Sequence, residues 1–146
     1  MKKKIHKIIL ILSGIILFSC MSIRNETVKL KSESQELLSK KIEIQIPTPF
    51  HIQKENYEEG VIYYYSFADS ALIVICQGSM VEFPMDKYIV SKTIQRKNTK
   101  IFVGEKNNKY WRKDVYEGVR VYYDNVSLNN KKFYDKALNE MKINPL

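Results

Sequence analysis

Aromatic and basic side chains occur together in two neighbouring segments in the C-terminal third of the chain. Residues 109–113 read Lys-Tyr-Trp-Arg-Lys, and a second such stretch runs from Gly118 to Val126. If Glu117 and Gly118 form a hairpin turn, one face of the ribbon carries Trp111, Lys113, Arg120, Tyr122 and Asp124. Aromatic rings beside cations bind sugars by stacking and anions by charge. We therefore predict a ligand-binding site formed by Trp111, Lys113, Arg120 and Tyr122; the alternative is ordinary sheet packing with cross-strand cation–π pairs.

Side chains that ligate metals or act as nucleophiles are scarce. His51 and Cys76 stand alone, and the five glycines are scattered. A zinc site needs several ligands, a catalytic triad needs an imidazole beside its nucleophile, and a phosphate loop needs clustered glycines. We predict no metal site, no cofactor and no catalytic residue. His51 is expected at the surface, and Cys76, within an apolar run, is expected to be a small buried hydrophobe.

Carboxylate catalysis requires only two acidic groups brought together by folding. With the hairpin turn above, Asp114 pairs with Val121 and Asp124 pairs with Trp111. The two carboxylates then project from opposite faces of the ribbon, which disfavours a paired site at these positions. A carboxylate-dependent hydrolase of an envelope glycan or peptide stays as an alternative function.

The N-terminus has the features of a secretion signal. Four lysines lie among its first seven residues, and an apolar run of eleven residues follows from Ile8 to Phe18. As a helix, that run spans only about 16 Å. A lasting transmembrane anchor needs about 20 residues, so this segment is predicted to be removed after export.

The end of this signal, Leu17-Phe18-Ser19-Cys20, resembles the bacterial lipobox, although Phe18 departs from the small residue that is commonest there. The resemblance implies a signal peptide over residues 1–19 and a mature chain that begins at Cys20. It also implies diacylglycerol on the Cys20 thiol, often with a further acyl chain such as palmitate, and hence a lipid anchor in the membrane. The expected location is the bacterial cell envelope, at the outer membrane or the periplasmic face. An ordinary secretory peptide is the alternative.

Removal of the signal changes the charge of the protein. The whole chain of 146 residues has 24 Lys and Arg against 16 Asp and Glu, a net charge of +8. Four lysines leave with residues 1–19, so the mature chain carries 20 basic and 16 acidic residues, a net charge of +4. The envelope location disfavours nucleic acid as a partner. An envelope protein or a glycan is the expected partner, and the oligomeric state is left open.

The mature chain divides into a polar tether over residues 20–41 and one domain over residues 42–146. Alternation of apolar and polar residues predicts a first strand at Ile42 to Ile46, and aromatic and β-branched runs predict a hairpin around an Asp69-Ser70 turn. The apolar run from Ile73 to Ile75 indicates a central strand that is covered on both faces. Residues 79–98 are predicted to be a loop with a weak helix capped by Asp86. Further predicted elements are strands over 100–103, 110–116 and 118–126 and a helix over 131–141.

These elements predict an α+β domain, with a mostly antiparallel sheet of five or six strands and a C-terminal amphipathic helix packed on it. The helix is predicted to bury one face, formed by Phe133, Tyr134, Ala137, Leu138 and Met141. This layout loosely resembles the PsbP-like α/β sandwich over residues 42–146.

The triplet Asp69-Ser70-Ala71 resembles the O-glycosylation signal of some Gram-negative envelope bacteria, which would make Ser70 a glycan acceptor; a plain turn is the alternative. The functional prediction is a membrane-anchored, non-catalytic binding or accessory module of unknown ligand. An inhibitor or immunity-type lipoprotein is a further alternative beside the hydrolase.

Overall fold

Two antiparallel sheets form most of the structure, a computed structural model that describes residues 28–79 and 81–146. The predicted lipobox with Cys20 lies outside the described residues. The strands are β1 (Leu30–Glu36), β2 (Lys40–Pro47), β3 (His51–Tyr57), β4 (Gly60–Ser66), β5 (Leu72–Gly78), β6 (Lys92–Arg96), β7 (Thr99–Lys106), β8 (Lys109–Tyr116), β9 (Val119–Val126) and β10 (Lys142–Pro145). A 3₁₀ helix (Pro84–Lys87) precedes β6, and helix α1 (Leu128–Asn139) follows β9.

The large sheet has seven strands in the order β3-β4-β5-β9-β8-β7-β6, and the small sheet has three in the order β1-β2-β10. The predicted fold class, with one sheet of five or six strands, is therefore wrong, although the described chain is rich in antiparallel sheet. The missed strands are β1, β3, β6 and β10. Most of their residues are exposed, so these strands lack the alternation that marks a strand with one buried face. β1 also lies within residues 20–41, the predicted tether, so the small sheet begins before Ile42.

The main core lies between the large sheet and a layer made of the small sheet and α1. β2 alternates as predicted and buries Ile42, Ile44 and Ile46 in this core. Helix α1 spans 128–139 rather than 131–141 and buries Tyr134, Ala137 and Leu138. The helix also contacts β2, β8 and β9, so its apolar stripe holds the two sheets together.

A second, smaller core lies on the opposite face of the large sheet, beneath residues 81–90. Val74 and Cys76 of β5 point into this core, while Ile73 and Ile75 point into the main one. β5 is the third strand of seven, so the predicted central strand covered on both faces is confirmed. Residues 79–98 differ from the expected loop with a weak helix, since they include the 3₁₀ helix and the edge strand β6.

The tight turns follow the turn residues of the sequence. Asn107 and Asn108 both have positive φ, 53° and 59°, as a two-residue turn of the mirror-image type between β7 and β8 requires. Gly118, with φ 71°, joins β8 to β9. Ser70, with φ 65°, lies at the predicted turn between β4 and β5. These turns make β7, β8 and β9 the predicted meander of neighbouring strands.

Candidate functional site

The four predicted ligand-binding residues lie on the face of the large sheet that residues 81–90 cover. The pairing of Asp114 with Val121 is confirmed, and Lys113 lies opposite Tyr122. The expected pairing of Trp111 with Asp124 is wrong, because the register shifts between Tyr110 and Arg112. Such an irregularity inserts a residue into one strand, which simple counting from a turn does not reveal.

Three of these residues surround Asp86 of the covering segment. The Lys113 ammonium donates to Asp86 Oδ1, and the Tyr122 hydroxyl donates to the same oxygen at 3.1 Å. The Phe83 N–H donates to Asp86 Oδ2 at 2.9 Å, so Asp86 caps the 3₁₀ helix from within its first turn. The helix ends at Lys87, so the prediction of a helix that begins at Asp86 is wrong. Burial by itself raises the pKa of Asp86, but the hydrogen bonds from Lys113, Phe83 and Tyr122 outweigh burial and lower the pKa below 3.8.

Arg120 also fixes the covering segment. Its guanidinium donates to the Val81 carbonyl at 2.8 Å and lies 3.9 Å from an oxygen of Asp86. The same group stacks over the Phe83 ring at 5.7 Å from the centroid. Arg120 and the fully buried Tyr122 are therefore held by contacts within the protein, although 21% of the Arg120 side chain stays exposed.

Trp111 and Lys113 line a small depression beside the covering segment. The depression has a volume of about 110 Å³, and Tyr88, Val90 and Phe102 form part of its wall. Trp111 itself is 1% exposed and packs edge-to-face on Tyr88, with the ring centroids 5.8 Å apart. Within the described residues its indole N–H has no hydrogen-bond partner. A ligand at this depression would meet aromatic edges and the Lys113 ammonium.

A buried ionic network, which the sequence did not predict, lies on the other face of the ribbon. The Arg112 guanidinium binds both oxygens of Asp114, at 2.6 and 2.7 Å, and also reaches Asp135 and Asn139 of α1. The Arg112 and Asp114 side chains are only 5% and 1% exposed. Burial raises the pKa of Asp114 although Arg112 opposes it. The bonds from Arg112 to Asp135 and Asn139 join α1 to the sheet. Because Arg112 binds both oxygens of Asp114, that carboxylate is not free to act as a catalytic group.

Asp124 lies on the opposite face from Asp114, as predicted. Its carboxylate accepts a hydrogen bond from the Tyr88 hydroxyl at 3.2 Å, and so belongs to the face beneath residues 81–90.

The sequence did contain a signal for the Arg112 network. Arg112 and Asp114 are two residues apart in one strand, a spacing that places opposite charges on the same face.

The positive charge of the domain is concentrated at one edge of the large sheet. Residues 87–109, which we name the basic edge, contain seven Lys and Arg and one Glu, a net charge of +6. The other residues of the range 28–146 contain twelve Lys and Arg and fourteen Asp and Glu, a net charge of −2. In the described part of the chain no ion pair joins six of these cations to a carboxylate: Lys92, Arg96, Lys97, Lys100, Lys106 and Lys109.

The edge strand β6 presents both of its faces to solvent. Four of its five residues are exposed, and Ile94 is half-buried. Lys100 lies 5.1 Å from the centroid of Phe102, on the neighbouring strand β7. Beside the Lys92 end of β6 is an apolar groove of about 430 Å³, lined by Pro84, Lys87, Tyr88, Ile89, Glu105 and Lys106. Ile89 is 86% exposed. At this end of the basic edge an exposed apolar side chain therefore lies near the unpaired cations Lys92 and Lys106.

A second groove, of about 540 Å³, lies on the outer face of the small sheet. Glu33, Glu43 and Glu140 line it together with Lys41 and Lys142. Glu33 is paired with Lys31 at 2.7 Å, and Glu140 lies 3.9 Å from Lys136. This groove is a polar, mixed-charge surface on which three carboxylates line an open concavity.

The remaining predicted residues lie in ordinary surroundings. Cys76 is fully buried, as predicted, and burial raises the pKa of its thiol. Ser70 is exposed at its turn, where Asp69 accepts a hydrogen bond from the Ala71 N–H, so glycosylation there stays a prediction. His51 is exposed at the start of β3. The described residues include no helix long and apolar enough to cross a membrane, and no group of three or more His, Cys, Asp or Glu arranged to hold a metal ion.

The basic edge and its neighbouring groove are thus surfaces on which a ligand would meet unpaired cations and apolar side chains, whereas the Lys113 ammonium in the depression at Trp111 is paired with Asp86. Comparison with known proteins finds no family model that matches the chain, and no curated protein or solved structure that matches it significantly.

Proposed function

We propose that the protein is a lipid-anchored binding module of the bacterial cell envelope, and that its basic edge binds an acidic ligand. The observation that carries the proposal is the unequal charge of the domain, +6 over residues 87–109 and −2 over the rest of the range 28–146. An inhibitor or immunity-type lipoprotein is a special case of this function, in which the acidic ligand is an enzyme.

Free cations at the basic edge support binding. A cluster of one sign produces a local potential that attracts oppositely charged ligands and speeds their association, and salt weakens it. Lys113 and Arg120, which the sequence predicted as ligand contacts, both lie within ion-pair distance of Asp86. Lys97 and Lys100 form no ion pair within the described residues. Lys97 is exposed at the turn, and Lys100 is exposed on β7.

The anchor is supported by the lipobox-like sequence that ends at Cys20. Globomycin treatment, which blocks cleavage of lipidated precursors, or Cys20→Ala should leave the precursor uncleaved. Labelled palmitate should enter the wild-type chain but not the Cys20→Ala chain. A Cys20→Ala chain that is processed normally and released from the membrane would contradict the lipoprotein proposal.

Binding at the basic edge is tested with simple polyanions. The protein, purified in detergent, is titrated with poly-L-glutamate and with polygalacturonate at low and high salt. Charge reversal at the edge, Lys97→Glu with Lys100→Glu, should weaken binding strongly. The matched control Lys132→Glu with Lys142→Glu reverses two exposed lysines elsewhere and should leave binding nearly unchanged. Equal affinity of the two double variants, or no binding of either polyanion, would contradict the proposal.

A second candidate function is hydrolysis of an envelope glycan or peptide by paired carboxylates. The observation that favours it is the groove of the small sheet, where Glu43 and Glu140 line one concavity. Glu43→Gln and Glu140→Gln should each abolish the release of fragments from purified peptidoglycan if this groove is catalytic. Lack of any release by the wild-type protein would remove this candidate.

A further inference from the structure

We propose that β6 is a docking edge for an acidic, extended segment of another envelope protein, which adds to the large sheet as an eighth strand. The inference rests on the proposed function and names the class of its ligand. It requires three matching features of β6: free backbone groups, a pattern of side chains on its faces, and an apolar site at one end.

The backbone of β6 is free along its outer side. β6 is the last strand of the large sheet, and among the described residues it pairs only with β7. Arg96 and Thr99 flank a two-residue turn, and residues in that position exchange hydrogen bonds with each other. By the alternation of an antiparallel pair, Thr93 and Gln95 direct their N–H and C=O groups away from β7. An incoming strand meets four backbone groups that the sheet does not use.

The side chains of β6 specify which strand fits. Lys92, Ile94 and Arg96 share one face, because successive side chains of a strand alternate. The two cations are four residues apart, about 13 Å along the strand. An added strand therefore complements this face when it carries acidic residues at positions i and i+4 and an apolar residue at i+2.

The apolar groove extends the same surface. Lys92 pairs with Val103, and Glu105 and Lys106, further along β7, line the groove, so the groove lies beyond the Lys92 end of β6. A strand that runs past Lys92 reaches the exposed side chain of Ile89. An apolar residue flanking the acidic stretch would cover Ile89 there.

A polypeptide fits this edge better than a lipid surface or a glycan. Main-chain hydrogen bonds to Thr93 and Gln95 are the kind that strand addition uses, and neither a lipid headgroup nor a sugar offers them in register. Positive charges on an edge strand also disfavour pairing with neutral or basic strands, so acidic strands are the ones that β6 can bind. The other edge strand of a second copy is a poor match, since β3 places Lys54 between Ile52 and Asn56 on one face.

The test uses the whole protein in detergent and the fluorescent peptide Leu-Thr-Thr-Glu-Thr-Val-Thr-Glu-Thr-Thr-Leu, which reads the same in both directions. Anisotropy measures its affinity, and hydrogen exchange measures protection of residues 92–96. A second peptide has the same sequence but N-methyl groups on alternate backbone amides, so it keeps the charge and loses the hydrogen bonds. We expect the first peptide to bind and to protect β6, and the N-methylated peptide to bind roughly tenfold more weakly or worse.

The double variant Lys92→Glu with Arg96→Glu should lose roughly tenfold or more in affinity for the first peptide, while Lys132→Glu with Lys142→Glu keeps it. Equal binding of both peptides would overturn strand addition and leave an electrostatic edge. Binding of phosphatidylglycerol vesicles or polygalacturonate instead of peptide, sensitive to the Lys92 and Arg96 reversals, would overturn the peptide ligand but retain the proposed function. Self-association that the same reversals abolish would replace the partner by a second copy. Failure of every anion to bind would overturn both proposals.

Discussion

Removal of the Asp86 carboxylate should loosen the covering segment more than its position in a short 3₁₀ helix suggests. In Asp86→Ala the Phe83 N–H loses its cap, which costs about 1 kcal/mol. Lys113 and Tyr122 each lose a charge-assisted hydrogen bond. The Asp86 and Lys113 side chains are 13% and 21% exposed, so solvent screens these bonds, and we take about 1 kcal/mol for each. The free energy of unfolding should therefore fall by about 3 kcal/mol at neutral pH.

The measurement is urea unfolding followed by the fluorescence of Trp111, which is the only tryptophan of the chain and is buried next to the segment. Asp124→Ala is the matched control, because that carboxylate on the same face accepts one hydrogen bond, from Tyr88, and its loss should cost about 1 kcal/mol or less.

The pH dependence of this difference has a definite sign. The pKa of Asp86 is lower in the folded protein than its ordinary value of 3.8. Its charged form is therefore favoured by folding, and this contribution is fully present above the unfolded pKa and is lost as the pH falls through the folded pKa. The stability gap between wild type and Asp86→Ala should be constant from neutral pH down to about 5 and should shrink below pH 3.8. A gap below about 1 kcal/mol at neutral pH, or one that widens in acid, would refute the inference that Asp86 fixes the covering segment to the sheet.

Three further predictions concern buried groups. Arg112→Met should lower the free energy of unfolding by about 3–5 kcal/mol in urea titrations, because it leaves the buried Asp114 carboxylate without its cation. Adding Asp114→Leu should restore much of this loss, and a double variant no more stable than the single one would contradict the prediction. Gly104→Ala should lower the free energy of unfolding by about 1–3 kcal/mol and change the Trp111 emission spectrum, because the new Cβ would lie 2.5 Å from the Trp111 indole nitrogen and 2.6 Å from the Ile89 carbonyl. An unchanged spectrum and urea midpoint would show that the neighbouring atoms move to make room for the Cβ. In a Cys20→Ala background the Cys76 thiol should react with Ellman's reagent only after denaturation, because it is fully buried with a raised pKa; fast reaction of the folded protein would show that its strand opens.

Strands with one or two buried faces were predictable from the sequence. β2 alternates, β5 has an unbroken apolar run, and the Asp69-Ser70 and Asn107-Asn108 turns mark the ends of their hairpins. β3 and β6 were not predictable by this signal, because an edge strand exposed on both faces needs no apolar residue at all. Their pairing depends on a neighbouring strand, a long-range condition that periodicity does not encode.

The candidate site was predictable only in part for a similar reason. The shared face of Trp111, Lys113, Arg120 and Tyr122 follows from strand alternation, which the sequence does specify. What the sequence does not specify is the position of Asp86, more than twenty residues earlier, against the same face. This carboxylate of the covering segment binds Lys113, Arg120 and Tyr122, so these three side chains fix the segment to the sheet instead of being free for a ligand.

The same reasoning decides which cations remain for a ligand. Basic residues beside aromatic ones in a central strand are the ones that folding is most able to pair or cover, because strands and segments pack on both sides of them. Lys113 and Arg120 meet this outcome, since both contact Asp86 beneath the covering segment. In the polar, non-periodic segment, Lys92 lies on the edge strand β6, Lys97 in the turn and Lys100 at an exposed position of β7. Within the described residues none of these three lysines forms an ion pair. The net charge of +4 over residues 28–146 is thus the sum of a basic edge at +6 and a slightly acidic remainder at −2, and it is the edge that a ligand would meet.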